Sequence, residues 1–173
     1  IKEIIFRTNQ QNPIAWHNLR ALESTQMDVA KYFFTKGVFY QRRDGEHSLV
    51  KHSTKYSGLK KCGIIELTQL LKIARDGAKG VFEAKQSREN LFKDQTEFNA
   101  LFQLRMETIF FQYVVKQMVT NTLKHINHSG KGFILFTTFG IFWNALESLD
   151  VRILKKWEKT VNTHNGKPLD VKL

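Results

Sequence analysis

From Thr108 to Leu146 the chain carries no carboxylate, and Ile109, Phe110, Phe111, Val114, Val115, Met118 and Val119 put apolar side chains on most sides of any helix drawn through them. A helix apolar all round has to be buried, so this stretch is expected to form a central pair of helices, split near Ser129 to Gly132. Its most apolar part, Phe133 to Leu146, covers too few residues to cross a bilayer and contains two threonines, a glycine and an asparagine. It reads as a core element, with no membrane partner.

The remaining segments supply partners for that pair. Asn18 is placed to cap a helix to about Lys36, with Leu19, Leu22, Val29 and Phe33 inward and Gly37 at its end. Val38 to Arg43 reads as a strand, and the Asp44-Gly45 turn predicts a hairpin return through Leu49 and Val50. A second amphipathic helix carries Ile64, Leu67, Leu70, Leu71 and Ala74 before Gly77 and Gly80 break it. "SRENLF" predicts a short helical turn, and Asp94 followed by Glu97 has capping-box spacing for a helix with Phe98, Leu101, Phe102 and Arg105. Asp150 can cap a last helix to about Thr160, with Val151, Leu154 and Trp157 inward and Lys155, Lys156 and Lys159 outward. No repeat or low-complexity linker interrupts the chain. The fold class is therefore mainly α: one compact helical domain with a small β-hairpin over residues 1–161, then a frayed tail, 162–173. Starting at Ile1, the chain reads as part of a longer protein.

A chain of 173 residues can bury about 70% of the surface its unfolded form exposes, so it needs no staples. The lone Cys62 excludes an intrachain disulfide and suits a reducing, cytoplasmic compartment. Lysine and arginine number 27 against 16 acidic residues, and the pI is near 9.8, which favours a polyanion or an acidic protein surface as partner.

Five groups of residues invite a chemical reading. In "RTNQQNPI" four amides, Asn9 to Asn12, precede Pro13. They either satisfy the last carbonyls of a helix through Ile1, Ile4 and Ile5 or offer a hydrogen-bonding edge to a ligand. Between Lys36 and Lys61, Arg42, Arg43, Lys51, Lys55, Lys60 and Lys61 face only Asp44 and Glu46, interleaved with Phe39, Tyr40 and Tyr56. Such a set can hold phosphates and stack bases, or can simply solvate an edge strand. Glu83-Ala84-Lys85 with Asp76 upstream has the form of a Mg²⁺ nuclease motif, but Asp76 ends a helix, and the carboxylates are not expected to converge on one cation. His125 and His128 lack further ligands nearby in sequence, and Cys62 with His52 is a pairing any chain offers, so no catalytic residue, metal ligand or cofactor is assigned.

Three pieces in order, "IIFRTNQQNPI", "FYQRRDGE" and "ELTQLLKIA" with "EAKQSRENLF", resemble the abortive-infection phage-resistance (AIPR) family. Its members carry an Ala-Thr-Asn-Ser-Gln-Asn-like turn, an aromatic-Arg-Arg-Gly segment and a later Ala-x-x-Ser...Leu-Phe element. The likeness covers about residues 1–102. Arg7 departs from it where a small residue is usual, and Val81-Phe82 stands where a proline is expected nearby. The resemblance implies a role in bacterial defence against phage and raises the weight on Asn9, Gln11 and Asn12 as ligand-contacting residues. It supplies no reaction, and the family's upstream Asn-Gly-Cys-Gln-Thr type motif is not in this chain. The resulting expectation is a nucleic-acid-binding or regulatory module, basic in charge, that touches DNA or RNA through Asn9, Gln11, Asn12, Arg42, Arg43, Lys51, Lys55, Lys60 and Lys61. The missing upstream region or a second copy would be its protein partner. The alternatives are a metal-dependent nuclease on Asp76, Glu83 and Lys85, and an oligomerisation element using Tyr32, Phe33 and Phe34.

Overall fold

The structure, a computed structural model, describes residues 15–86, 90–125, 130–149 and 151–163. Among them are nine helices: α1 (Trp16–Arg20), α2 (Ser24–Thr35), α3 (Glu46–Val50), α4 (Ile64–Gln86), α5 (Asn90–Lys93), α6 (Gln95–Leu101), α7 (Met106–Thr122), α8 (Lys131–Glu147) and α9 (Val151–Thr163). A 3-10 turn, Leu123–His125, extends α7, and two short strands, β1 (Val38–Gln41) and β2 (Lys60–Gly63), complete the set. The mainly helical class holds. No helix among the described residues is long and apolar enough to cross a membrane.

The predicted hairpin is replaced by a different device. Gly45, at φ 73°, turns the chain into α3 instead of back along β1, so Leu49 lies 86% exposed and no return strand forms there. The partner of β1 is β2, which runs parallel to it with Val38 opposite Lys60 and Tyr40 opposite Cys62. Parallel neighbours need a crossover, and residues 42–59 provide it. On the buried face Val38, Tyr40 and Cys62 enter the core, and the Tyr40 hydroxyl donates to Gln26 Oε1 on α2 at 2.6 Å.

The core centres on α4. Gly77 adopts φ 58° and ψ −133°, a geometry that only glycine tolerates readily, and the chain reverses there. The limb of residues 78–86 folds back along the limb of residues 64–76. A Cβ at Gly80 would lie 2.6 Å from the Lys72 carbonyl oxygen and 2.9 Å from the Ile73 Cα, so the two backbones touch. Gln69 crosses the gap and donates to the Ala84 carbonyl at 2.8 Å. The anticipated break at the glycines is thus a helical hairpin. α8 lies over it, with Gly140 against Ile73 and Val81. Leu67, Leu70, Leu71 and Ile73 are essentially inaccessible, each contributing about 1.5–3 kcal/mol of burial.

α7 meets the sequence expectation, burying Ile109, Phe110, Phe111, Tyr113, Val114, Val115 and Val119. α8 does so only in part: Phe139, Gly140, Trp143 and Leu146 are buried, while Ile141 is 68% exposed. The long helix expected from Asn18 is broken over residues 21–23. Arg20 is held there by the Phe92 and Lys93 carbonyls (2.8 and 3.1 Å) and by Glu23, and Leu22 turns outward. In α9 the buried residue is Val161, and Val151 and Trp157 are exposed. The Asp94 cap forms, accepting from the Thr96 and Glu97 amides, but Glu97 turns its own carboxylate elsewhere. α6 stops at Leu101, well before Arg105.

The close approach at Gly80 is testable against another helical glycine. Gly80→Ala forces two backbones apart and should cost about 1–3 kcal/mol. Gly132→Ala, with open space around its Cβ in α8, should stabilise by up to about 1 kcal/mol. Urea unfolding midpoints of the two variants, moving in opposite directions, check this.

Candidate nucleic-acid interface

The crossover between β1 and β2 carries the cations singled out from sequence, and it sorts them into three kinds. Arg42 is engaged: Glu46 accepts from its guanidinium at 3.1 Å and from its backbone amide at 2.7 Å, closing the turn into α3. Lys55 lies over rings, 5.3 Å from the centroid of Phe34 and 5.5 Å from that of Tyr56. Arg43, Lys51 and Lys60 are exposed and make no ion pair among the described residues. Lys61 is exposed too, and its charge helps lower the Asp44 carboxyl.

Side chains alternate along a strand, so Lys60 and Lys61 leave opposite faces of β2. The cations therefore form two groups. Arg43 precedes Asp44 beyond the end of β1, and Lys61, opposite Phe39 on β2, lies near enough for its charge to act on Asp44. Lys55 and Lys60 gather at the beginning of β1, beside the end of α2. The two ends of β1 are about 10 Å apart.

Asp44 is the anchor of the first group. Its carboxylate is bonded by His17 Nε2 at 2.8 Å and by the Asn18 amide at 3.3 Å, and its own backbone N–H donates to Asn18 Oδ1 at 3.1 Å. Its carboxyl is held below the usual range chiefly by the bond from His17. Asn18 is thus no helix cap; α1 begins at Trp16, and Asn18 clasps the turn after β1. Asn9, Gln11 and Asn12 lie outside the described residues.

Aromatic residues expected to stack on bases are mostly packed inside. Phe39 and Tyr40 are buried, with Phe39 edge-on to Tyr56 at 5.5 Å, and Tyr56 is half-buried. Of the aromatic residues anticipated as a surface on α2, Phe33 is inaccessible, Tyr32 is half-buried and donates to Asn162 at 2.6 Å, and Phe34 is exposed with Lys55 over its ring.

The carboxylates Asp76 and Glu83 do meet, contrary to expectation, because the Gly77 reversal brings the limbs of α4 together. What they share is the Lys72 ammonium, 2.7 Å from Asp76, 2.9 Å from Glu83 and 2.7 Å from Glu97 of α6. Arg75 binds Asp76 at 2.7 Å and also Glu97. The point where these oxygens converge is filled by the chain's own cation. Burial works to lower the Lys72 pKa, but its three carboxylates outweigh that and hold it above its ordinary value. Asp76 is brought down to about 2, first by Arg75 and then by Lys72. Glu97 is lowered by the same pair, and Glu83 by Lys72. The side chain of Lys85 and the whole of His128 lie outside the described residues. Cys62 is fully buried and its thiol is pushed well up by desolvation, which removes it as a nucleophile.

Sequence reasoning missed the Lys72 cluster, although one signal was present: Lys72, Asp76 and Glu83 recur at helical spacing on either side of Gly77. Because the three carboxylates titrate lower in the folded state, the cluster stabilises the fold above about pH 4. That stability is lost as pH falls toward 2. Lys72→Met leaves Glu83 without its near cation and Asp76 and Glu97 with Arg75 alone, and should lower stability at pH 7. The deficit should shrink as the pH is lowered and the carboxylates protonate. Unfolding midpoints measured from pH 7 to pH 3 should converge for the two proteins; parallel curves contradict the cluster.

A family model described as AIPR protein matches residues 1–165, well past the 1–102 over which the sequence motifs run. No curated protein and no solved structure matches the chain.

Proposed function

Because the chain belongs to the AIPR family, we propose that it is a nucleic-acid-binding module of a bacterial phage-defence protein, acting in the cytoplasm. The observation that carries this reading is the clasp of His17 and Asn18 on Asp44. It ties the segment that follows Asn9 to Asn12 in sequence to the turn that carries Arg43, with Lys61 of β2 close enough to act on Asp44. Asn12 is three steps along the chain from Ala15, the first described residue, and such a length reaches at most about 11 Å. On this reading Asn12, with Asn9 and Gln11 further along the chain, serves the same ligand as these cations, the cations holding phosphate while an amide bonds a base or sugar edge.

The distribution of charge supports a polyanion. Buried or structural cations of this protein have partners: Arg20 with Glu23, Arg42 with Glu46, Lys72 with three carboxylates, Lys116 with Glu66. Arg43, Lys51 and Lys60 have none among the described residues. A phosphate backbone would give them partners, and releasing its counterions would drive association.

Mobility-shift assays with duplex DNA, single-stranded DNA and RNA, with and without Mg²⁺, test the proposal. Binding at low salt should occur without Mg²⁺ and without strand loss. Arg43→Ala combined with Lys60→Ala should weaken binding to all sequences alike and flatten the salt dependence for duplex by about 0.9 log unit for each phosphate no longer neutralised. Arg42→Ala should act mainly on stability, because it breaks the pair with Glu46. Absence of binding to all three polymers at 50 mM salt, or Mg²⁺-dependent cleavage, would overturn the reading.

A further inference from the structure

An open cleft of about 870 Å³ lies where α9 meets α2 and the start of α7, on the opposite side of α2's end from Lys55. Its floor is polar and fixed. Asn162 accepts from the Tyr32 hydroxyl at 2.6 Å and donates to the Glu107 and Glu158 carbonyls at 3.3 and 2.7 Å, and Lys36 of α2's C-terminal end bonds the Asn162 carbonyl. Arg105 forms a two-pronged pair with Glu158, at 2.9 and 3.2 Å, and Thr108 donates to the same carboxylate. Those two charges cancel. What remains on the walls is Lys155 and Lys159 against Glu107, and neither lysine has an ion-pair partner among the described residues. With Lys36 beside the floor, the cleft keeps a positive excess.

We propose that this cleft is a second phosphate-binding site, which holds the backbone of the same polynucleotide that the crossover engages; the inference rests on the proposed function. Lys155 and Lys159 are one turn apart, about 6 Å along the helix axis. That is close to the advance of two phosphates on a strand, about 3.4 Å each. The link to the first site is α2. Its last turn carries Phe34, capped by Lys55, and is followed by Lys36, bonded to the end of α9. Lys60, opposite Val38 at the start of β1, lies at the same end. Cations from the crossover and from α9 thus border one short stretch of chain. A membrane surface is the poorer fit, because the exposed apolar residues of α9, Val151, Ile153 and Trp157, do not line the cleft, which is lined by polar and charged residues.

The test uses the whole chain, a fluorescent 20-nucleotide single strand, free ATP, and vesicles containing phosphatidylserine, with salt varied from 50 to 200 mM. Lys155→Gln with Lys159→Gln should reduce the salt slope for the single strand by about 1.4, two phosphates at about 0.7 each. The melting temperature should hold, since both side chains are exposed. An unchanged slope in this variant, while Arg43→Ala with Lys60→Ala still lowers it, overturns the second site and leaves the first standing. The converse result supports the cleft and removes the crossover. A wild-type chain that binds ATP or vesicles through Lys155 and Lys159 but no polynucleotide overturns both assignments.

Discussion

The reversal at Gly77 is the constraint on which the rest of the structure depends. It converts one helix into two touching limbs, and only a glycine at position 80 lets their backbones meet. The same reversal creates the demand for Lys72. Asp76 and Glu83, seven residues apart in sequence, are driven together and would repel without a cation between them. Glu97 completes the shell and so fastens α6 to the hairpin, while Lys116 and Glu66 tie α7 to its first limb. α8 then closes the groove between the limbs. A local backbone choice has thereby set where α6 and α8 pack.

Around this interior the β1–α3–β2 unit is an attachment on α2. Its buried face is made by Val38, Tyr40 and Cys62, and its outer parts keep charges that the fold does not use. That division explains why a chain with a strongly positive balance can still pack tightly. The cations within the fold are neutralised pair by pair, and the excess is left on the crossover and on α9, at the two flanks of α2's end. Family membership carries the context of phage defence, and the charge distribution carries the chemistry proposed for it.

Much of the helical layout was legible because its signals are local. The apolar run of α7, the Asp94 cap and the stop at Gly37 all depend on residues within one or two turns. The hairpin was misread because an Asp-Gly pair serves equally well to start α3, and only the distant Lys60–Gly63 segment decides which. Asn18 has the local form of a cap for the same reason: its partner, Asp44, is 26 residues away. The site was legible in composition but not in geometry. Arg42 and Arg43 look alike in sequence, yet Glu46 occupies the first and leaves the second. Phe39 and Tyr40 carry the same kind of ring as Tyr56, but their strand position sends them inward. The Lys72 cluster needed the limbs of α4 to fold together before its spacing meant anything.

Hydrogen exchange of the whole chain, alone and saturated with a 20-nucleotide strand, tests the central claim most directly, because it maps the ligand footprint without altering any residue. The account predicts slowed exchange in residues 42–61 and in the segment around His17, with a second region of slowing along α9. The amides of α4 and α8 should be unchanged. Slowing confined to α8, or to the limbs of α4 around Lys72, would contradict it.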